Sequence, residues 1–164
     1  AWEFIGDDHV LTLNGDNHYP ASAIQALAAT DAPGLVGFSA EALVAKGNVA
    51  ADRLGAFALI AADRDGMLTA IQEKPTDAVI AAAGPDALFS MNLWAFSPVI
   101  LDACTRIASS PRGELELPDA VRSTMSVERI RYRVLPSHDR VLDLSNRSDI
   151  AAVTARLADH VVTL

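Results

Sequence analysis

Two aspartates each close a short apolar run in this chain of 164 residues. Asp16 follows Val10-Leu11-Thr12-Leu13-Asn14-Gly15, and Asp143 follows Val141-Leu142. Carboxylate oxygens at strand ends suit a divalent ion such as Mg²⁺, and two of them can share one ion while leaving positions for phosphate oxygens. Both also have plainer readings. Asn14-Gly15 is a hairpin signal, weakened here because a helix pattern follows it rather than a second strand. Asp143 serves equally as the cap of a local turn.

Three further segments carry chemistry of a compatible kind. Glu73-Lys74-Pro75 ends an apolar run, and Lys74 is one of only two lysines. A lysine there can neutralise a phosphate, while Glu73 accepts hydrogen bonds from hydroxyls; the same pair also reads as solvated charge before a turn. Ser90-Met91-Asn92-Leu93-Trp94 sets one amide in an apolar strand. A buried Asn92 needs a partner, either a substrate hydroxyl or backbone, and Trp94 and Phe96 read as core. Gly113-Glu114-Leu115-Glu116 precedes Pro118. Glu114 can face a site across the loop, or is one of the acids favoured at a helix start.

The elements that must hold these groups alternate between strand and helix. Val10–Leu13 reads as a strand, Pro20 opens a helix, and Leu35–Phe38 is the next strand, the pattern of a layered α/β fold. Arg53–Ala62 reads as one long strand, turned at Asp65-Gly66 into Met67–Gln72 as a hairpin. Leu88–Phe96 is a strand, helices start at Pro98 and Pro118, and Ile130–Leu135 alternates as a strand with one wet face. A short strand at Val141–Leu144 precedes a helix from Ile150 to about Asp159, capped by Ser148 or Asp149.

Composition removes several classes of function. With 51% apolar and 21% charged residues the chain has a core to bury. A net charge of -8 disfavours general binding to nucleic acid or anionic membrane. The single Cys104 excludes an internal disulfide and a cysteine-rich zinc site, in keeping with a cytoplasmic, reducing setting. There is no Gly-x-Gly-x-x-Gly, no phosphate loop with Gly-Lys-Ser/Thr, no Gly-x-Ser-x-Gly and no His-Glu-x-x-His. His9, His18, His138 and His160 lack ligand spacing and read as surface or structural.

Taken in order, the motifs resemble those of the sugar-phosphate nucleotidyltransferases, which include the glucose-1-phosphate thymidylyl- and uridylyltransferases. The matching pieces are Leu-Asn-Gly-Asp ending at Asp16, Asp-x-Asp-Gly then Ile-x-Glu-Lys-Pro ending at Pro75, and Met-Asn-x-Trp-x-Phe-x-Pro from Met91. Gly-Glu-Leu-Glu-Leu-Pro-Asp-Ala from Gly113 and Asp-Leu-Ser-x-x-x-Asp from Asp143 complete the series. The resemblance runs from Val10 to Leu157 and implies an α/β, three-layer fold, with a mixed, mostly parallel sheet and helices on both faces. It implies transfer of a nucleoside monophosphate from a nucleoside triphosphate to a sugar 1-phosphate, with release of pyrophosphate. Asp16 and Asp143 would bind Mg²⁺ and, with Lys74, form the catalytic set. Lys74 would hold the sugar phosphate, Glu73 and Asn92 the sugar hydroxyls, and Glu114 a further sugar contact. Gly15 would let substrate approach the backbone.

The family's opening strand and glycine-rich loop, with their Arg and Lys, have no counterpart in these residues. Residues 1–164 are therefore expected to be one domain, the C-terminal two-thirds of such an enzyme. Alone it is expected to be inactive, with an uncovered sheet edge that invites association between copies. Two other readings stand beside this one. The first is a non-catalytic sugar-phosphate-binding or regulatory module. The second is a metal-dependent glycosyltransferase, for which the usual Asp-x-Asp pair is missing, since Asn17-His18 follow Asp16.

Overall fold

The computed structural model describes residues 2–110 and 113–158, and in it most of the expected strands join one mixed sheet. The order along the chain is α1 (Trp2–Ile5), β1 (Val10–Thr12), β2 (Asn17–His18), α2 (Ala21–Ala28), β3 (Gly34–Ser39) and α3 (Ala40–Val44). A 3-10 helix (Ala51–Ala56) leads into β4 (Ala58–Ala62), β5 (Leu68–Gln72), α4 (Asp77–Ala83) and β6 (Leu88–Phe96). Then come α5 (Val99–Arg106), α6 (Leu117–Ser126), β7 (Arg133–Ser137), β8 (Leu142–Asp143) and α7 (Asp149–Leu157). The end expected for the last helix, Asp159, lies outside the described residues, as does His160.

The strand order is β5-β4-β6-β3-β7, with β1 also on β6, and β2 pairs separately with β8. β6 is nearly uninterrupted in apolar residues because both of its faces are covered. Phe89, Met91, Leu93 and Ala95 pack with Leu27 of α2 and Leu43 of α3. Trp94 and Phe96 pack on the opposite face with Ile100, Ala103 and Val121 from α5 and α6. These are the three layers that the sequence led us to expect.

The direction of the strands corrects the expectation of a mostly parallel sheet. Among the described residues β3 and β7 are the one parallel pair; β6 runs antiparallel to β1, β3 and β4, and β4 to β5. A central strand opposed to all its neighbours, plus a hairpin, leaves room for one crossover pair. At that pair Gly34 is required by space: a Cβ there would lie 2.6 Å from the Arg133 carbonyl oxygen. Gly34→Ala should cost about 1–3 kcal/mol, as overpacking does. A urea titration would test this, and an unchanged midpoint would refute the steric reading.

Two element boundaries also differ from the sequence reading. Residues 51–56 are 3-10 helix, not the start of a long strand. A Cβ on Gly55 would sit 3.0 Å from the Pro75 carbonyl oxygen, so the helix is seated against the loop after β5. The strand expected from Ile130 begins only at Arg133. Arg129 adopts φ 59°, and the Ile130 N–H bonds back to the Thr124 carbonyl at 3.1 Å, so the chain is still tied to the end of α6 at Ile130 and cannot yet join the sheet. Tyr132 is nonetheless buried, edge-on to Trp94 and Phe96, with its hydroxyl 2.7 Å from Thr124 Oγ1. At this corner the hairpin and β7 are tied together: Leu68 N–H donates to the Tyr132 carbonyl and Val134 N–H to that of Gly66, both at 2.8 Å.

Candidate active site at a break in the sheet

One edge of β6 is shared by two short strands that do not meet. β1 occupies Trp94 to Phe96, and β4 occupies Leu88 to Ser90. Extending either register, Thr12 opposite Trp94 or Ala58 opposite Ser90, brings Asn14 and Ala56 level with Asn92. Asn92 therefore faces a gap between the end of β1 and the end of the 3-10 helix. On its other edge the register against β3 slips between Leu35 and Gly37. Asn92 has φ 58°, a left-handed backbone that Asn tolerates better than most residues and that marks a bulge. Its side chain makes no hydrogen bond to a described residue; its N–H is held by Ser90 Oγ at 3.2 Å.

Tyr19 ties the loop after β1 to β6 beside this gap. Its hydroxyl accepts the Asn14 N–H at 3.2 Å and donates to the Met91 carbonyl at 2.5 Å. Burial pushes its phenol up to about 12, and the charges of Asp16 and Asp143 add to the rise, against the Asn14 hydrogen bond. Both carboxylates thus lie within electrostatic reach of one phenol. An unfolded tyrosine ionises near the ordinary 10, so between pH 10 and about 12 the folded chain keeps a proton that the unfolded chain releases. Stability should fall across that window as pH rises. Tyr19→Phe should flatten the fall in part, since burial also raises Tyr132, and should cost about 1–2 kcal/mol at neutral pH for the lost bridge. Denaturation at a series of pH values checks both, and an unaltered profile would count against the bridge.

Asp16 and Asp143 are brought to the same end of the sheet by the pairing of β2 with β8. Asn17 stands opposite Asp143, and Leu144 N–H donates to the Asp16 carbonyl at 2.9 Å. The two acids differ in surroundings. Asp16 is exposed in the turn after Gly15, and its carboxylate makes no hydrogen bond or ion pair with a described residue. Asp143 is 2% exposed. Its Oδ2 pairs with Arg53 Nη2 at 3.0 Å, and its Oδ1 accepts from Ser145 Oγ at 2.7 Å and Asn17 Nδ2 at 3.3 Å. Asn48 clamps its backbone, accepting the Asp143 N–H at 2.8 Å and donating to its carbonyl at 2.7 Å. Arg53 Nη1 reaches on to Asp149 Oδ1 at 2.9 Å, a second buried carboxylate.

Lys74 lies exposed just beyond β5 with φ 46° and no partner among the described residues. A lysine has no local reason to hold a left-handed backbone, and such strain collects at functional positions. Its neighbour Pro75 touches the 3-10 helix that carries Arg53, which links the Glu73-Lys74 loop to the carboxylate end. Glu73 is half-buried beside it. Gly15 has open space where a Cβ would be, and its φ is not positive; neither packing nor backbone requires glycine there. A cleft of about 180 Å³ opens on Gly15 and Asp16 against Leu144, Val153 and Leu157; Lys74 and Asn92 do not border it. Glu114 is exposed in the loop before α6, where its carbonyl accepts the Ser110 N–H at 2.8 Å, and none of the contacts described above reaches it.

No group of three or more His, Cys, Asp or Glu side chains among the described residues is placed to hold a metal ion. The two expected ligands fit an ion unequally. Asp16 offers an open carboxylate, and Asn17 Oδ1 is buried without a donor among the described residues. Asp143 offers one remaining lone pair, on the oxygen that faces Arg53. Sequence reasoning missed Arg53, Tyr19 and Asn48. The one sign of Arg53 was a lone cation ahead of an otherwise apolar run.

No protein-family model matches the chain. Among curated proteins it is similar to the low-salt glycan biosynthesis nucleotidyltransferase Agl11 of Haloferax volcanii, 26% identical over 126 residues, covering 76% of this chain and 31% of that protein. Among solved structures it is similar to a glucose-1-phosphate thymidylyltransferase from Bacillus anthracis, in complex with sucrose. The TM-score is 0.65 at 15% identity, over 99% of this chain and 59% of the other. It is also similar to a UDP-glucose pyrophosphorylase complexed with UDP-glucose, at TM-score 0.69 and 15% identity, over 97% and 60%. The chain thus has the α/β fold of these nucleotidyltransferases and resembles one of them in sequence, while spanning about a third of the length of that curated relative (31%). No helix among the described residues is long and apolar enough to cross a membrane.

Proposed function

We propose that this chain forms the sugar-phosphate side of a nucleotidyltransferase that joins a nucleoside triphosphate to a sugar 1-phosphate. A phosphate oxygen of the sugar 1-phosphate attacks the α-phosphorus, the new P–O bond forms, and pyrophosphate leaves with the electrons of the broken bond. Such transfers depend on positioning and charge neutralisation more than on a protein nucleophile. In this reading Lys74 neutralises the sugar phosphate, Glu73 and Asn92 hold hydroxyls, Glu114 adds a sugar contact, and Gly15 leaves the backbone open to substrate. Asp16 supplies the open carboxylate for Mg²⁺, which when bound offsets phosphate charge. Asp143 is the buried acid behind it. The proposed substrates set the protein in the cytoplasm.

The observation that carries this reading is the pair Lys74 and Asn92. Both hold a left-handed backbone, and both have side chains without a partner among the described residues, one beside the gap in the sheet and one on the loop seated against its rim. Calorimetric titration of the chain with glucose 1-phosphate, glucose and inorganic phosphate tests it. Saturable heat with the first, clearly weaker with the other two and lost in Asn92→Ala, is expected. Equal heats for all three, or none, would remove the sugar-phosphate assignment. A second reading, a binding module without catalysis, draws on the engagement of Asp143 by Arg53. It predicts glucose 1-phosphate heats that do not change when Mg²⁺ is added.

A further inference from the structure

We infer that Arg53 is the resident cation of Asp143, and that a divalent ion drawn to this end of the sheet is held without that carboxylate. The inference does not require the substrate to be a sugar phosphate. It departs from the pair of metal ligands that the sequence resemblance implies, and it stands on how Asp143 is engaged.

Three side chains already serve the Asp143 carboxylate: Arg53 on Oδ2, and Ser145 and Asn17 on Oδ1. A carboxylate has about four acceptor positions, so one is left. That position is on the oxygen bound to the guanidinium. An Mg²⁺ ion bonds oxygen at about 2.0–2.1 Å, which would set it within roughly 5 Å of the Arg53 charge, on a carboxylate only 2% exposed, where like charges repel. Arg53 cannot yield cheaply. It also pairs with Asp149, which is 7% exposed and whose other oxygen accepts the Asn146 N–H at 2.9 Å. Withdrawing the guanidinium would leave two buried acids without a counter-charge, so it is fixed from two sides. Asn48 adds a third restraint by clamping the Asp143 backbone. Among the described residues, open oxygens nearby are those of Asp16 and Asn17 Oδ1, which meets no donor there. Mg²⁺ is commonly bound through one or two protein oxygens, with water and phosphate completing its shell.

The test uses Mn²⁺ as the probe, followed by electron paramagnetic resonance on the whole chain with no nucleotide or sugar present. A failure of the sugar-phosphate reading therefore leaves this measurement standing. Wild type should bind Mn²⁺ weakly or not measurably, and Asp143→Asn should alter the affinity less than twofold. Any binding seen should fall at least tenfold in Asp16→Asn. Arg53→Met frees Asp143, and should tighten Mn²⁺ binding tenfold or more, a gain absent from Arg53→Met combined with Asp143→Asn. Should Arg53→Met fail to fold by circular dichroism, the wild-type and Asp143→Asn titrations decide alone. Tight Mn²⁺ binding by wild type that is lost tenfold or more in folded Asp143→Asn would overturn the inference.

Discussion

Replacing Asp143 by Ala is expected to lower stability by about 1.5–3 kcal/mol, the scale of hydrogen bonds lost to a charged group. For a chain of this size that is a fall in melting temperature of roughly 3–12 °C. The loss has several parts. Arg53 keeps Asp149 but loses its other anchor. Asn17 Nδ2 and Ser145 Oγ lose their acceptor, and a cavity replaces the carboxyl group. Asp16→Asn should change stability by no more than about 0.5 kcal/mol, as exposed substitutions usually do, because its carboxylate bonds to none of the described residues. Urea denaturation of the two variants side by side gives the contrast. Equal losses would mean that the two acids are not divided between holding the fold and facing a ligand.

The second large effect is at Lys74 and has opposite signs for stability and binding. Lys74→Gly should stabilise the chain by up to about 1 kcal/mol, since glycine takes φ 46° without the strain that a side chain meets there. The same change should weaken glucose 1-phosphate binding roughly 10- to 100-fold, the loss of a hydrogen bond to a charged group being about 1.5–3 kcal/mol. Lys74→Met keeps the strain and removes the charge, so it should match wild type in stability and match Lys74→Gly in binding. Thermal melts and calorimetry on the three proteins separate the contributions. If Lys74→Gly melts lower than wild type, the strained backbone is not as described; if it binds as well, the lysine is not the phosphate's partner.

The sequence showed where chain folds locally and said little about which way strands run. Pro20, Pro98 and Pro118 mark helix starts because proline suits a first turn, and α2, α5 and α6 begin within a residue or two of them. Burial of both faces is legible in Leu88–Phe96, but both-face burial is also the mark of parallel strands, and β6 is antiparallel to its neighbours. The 3-10 helix was hidden because its shape is set by distant partners, the Pro75 carbonyl against Gly55 and two acids around Arg53. The late start of β7 depends on one left-handed residue, Arg129, which carries no glycine or asparagine to announce it. Asp16, Asp143, Lys74 and Asn92 could be singled out by residue type. Their environments could not: β2 and β8 are two residues each, too short for a periodic pattern to reveal that they pair.

That short ladder has a consequence for how the protein is made. Asn17 and Asp143 are separated by 126 positions, so while the chain leaves the ribosome the segment around Asp16 waits without its clamp until the segment around Asp143 has emerged. Nascent chains halted before residue 140 has emerged should expose that segment to protease, and emergence of a further ten residues should close it.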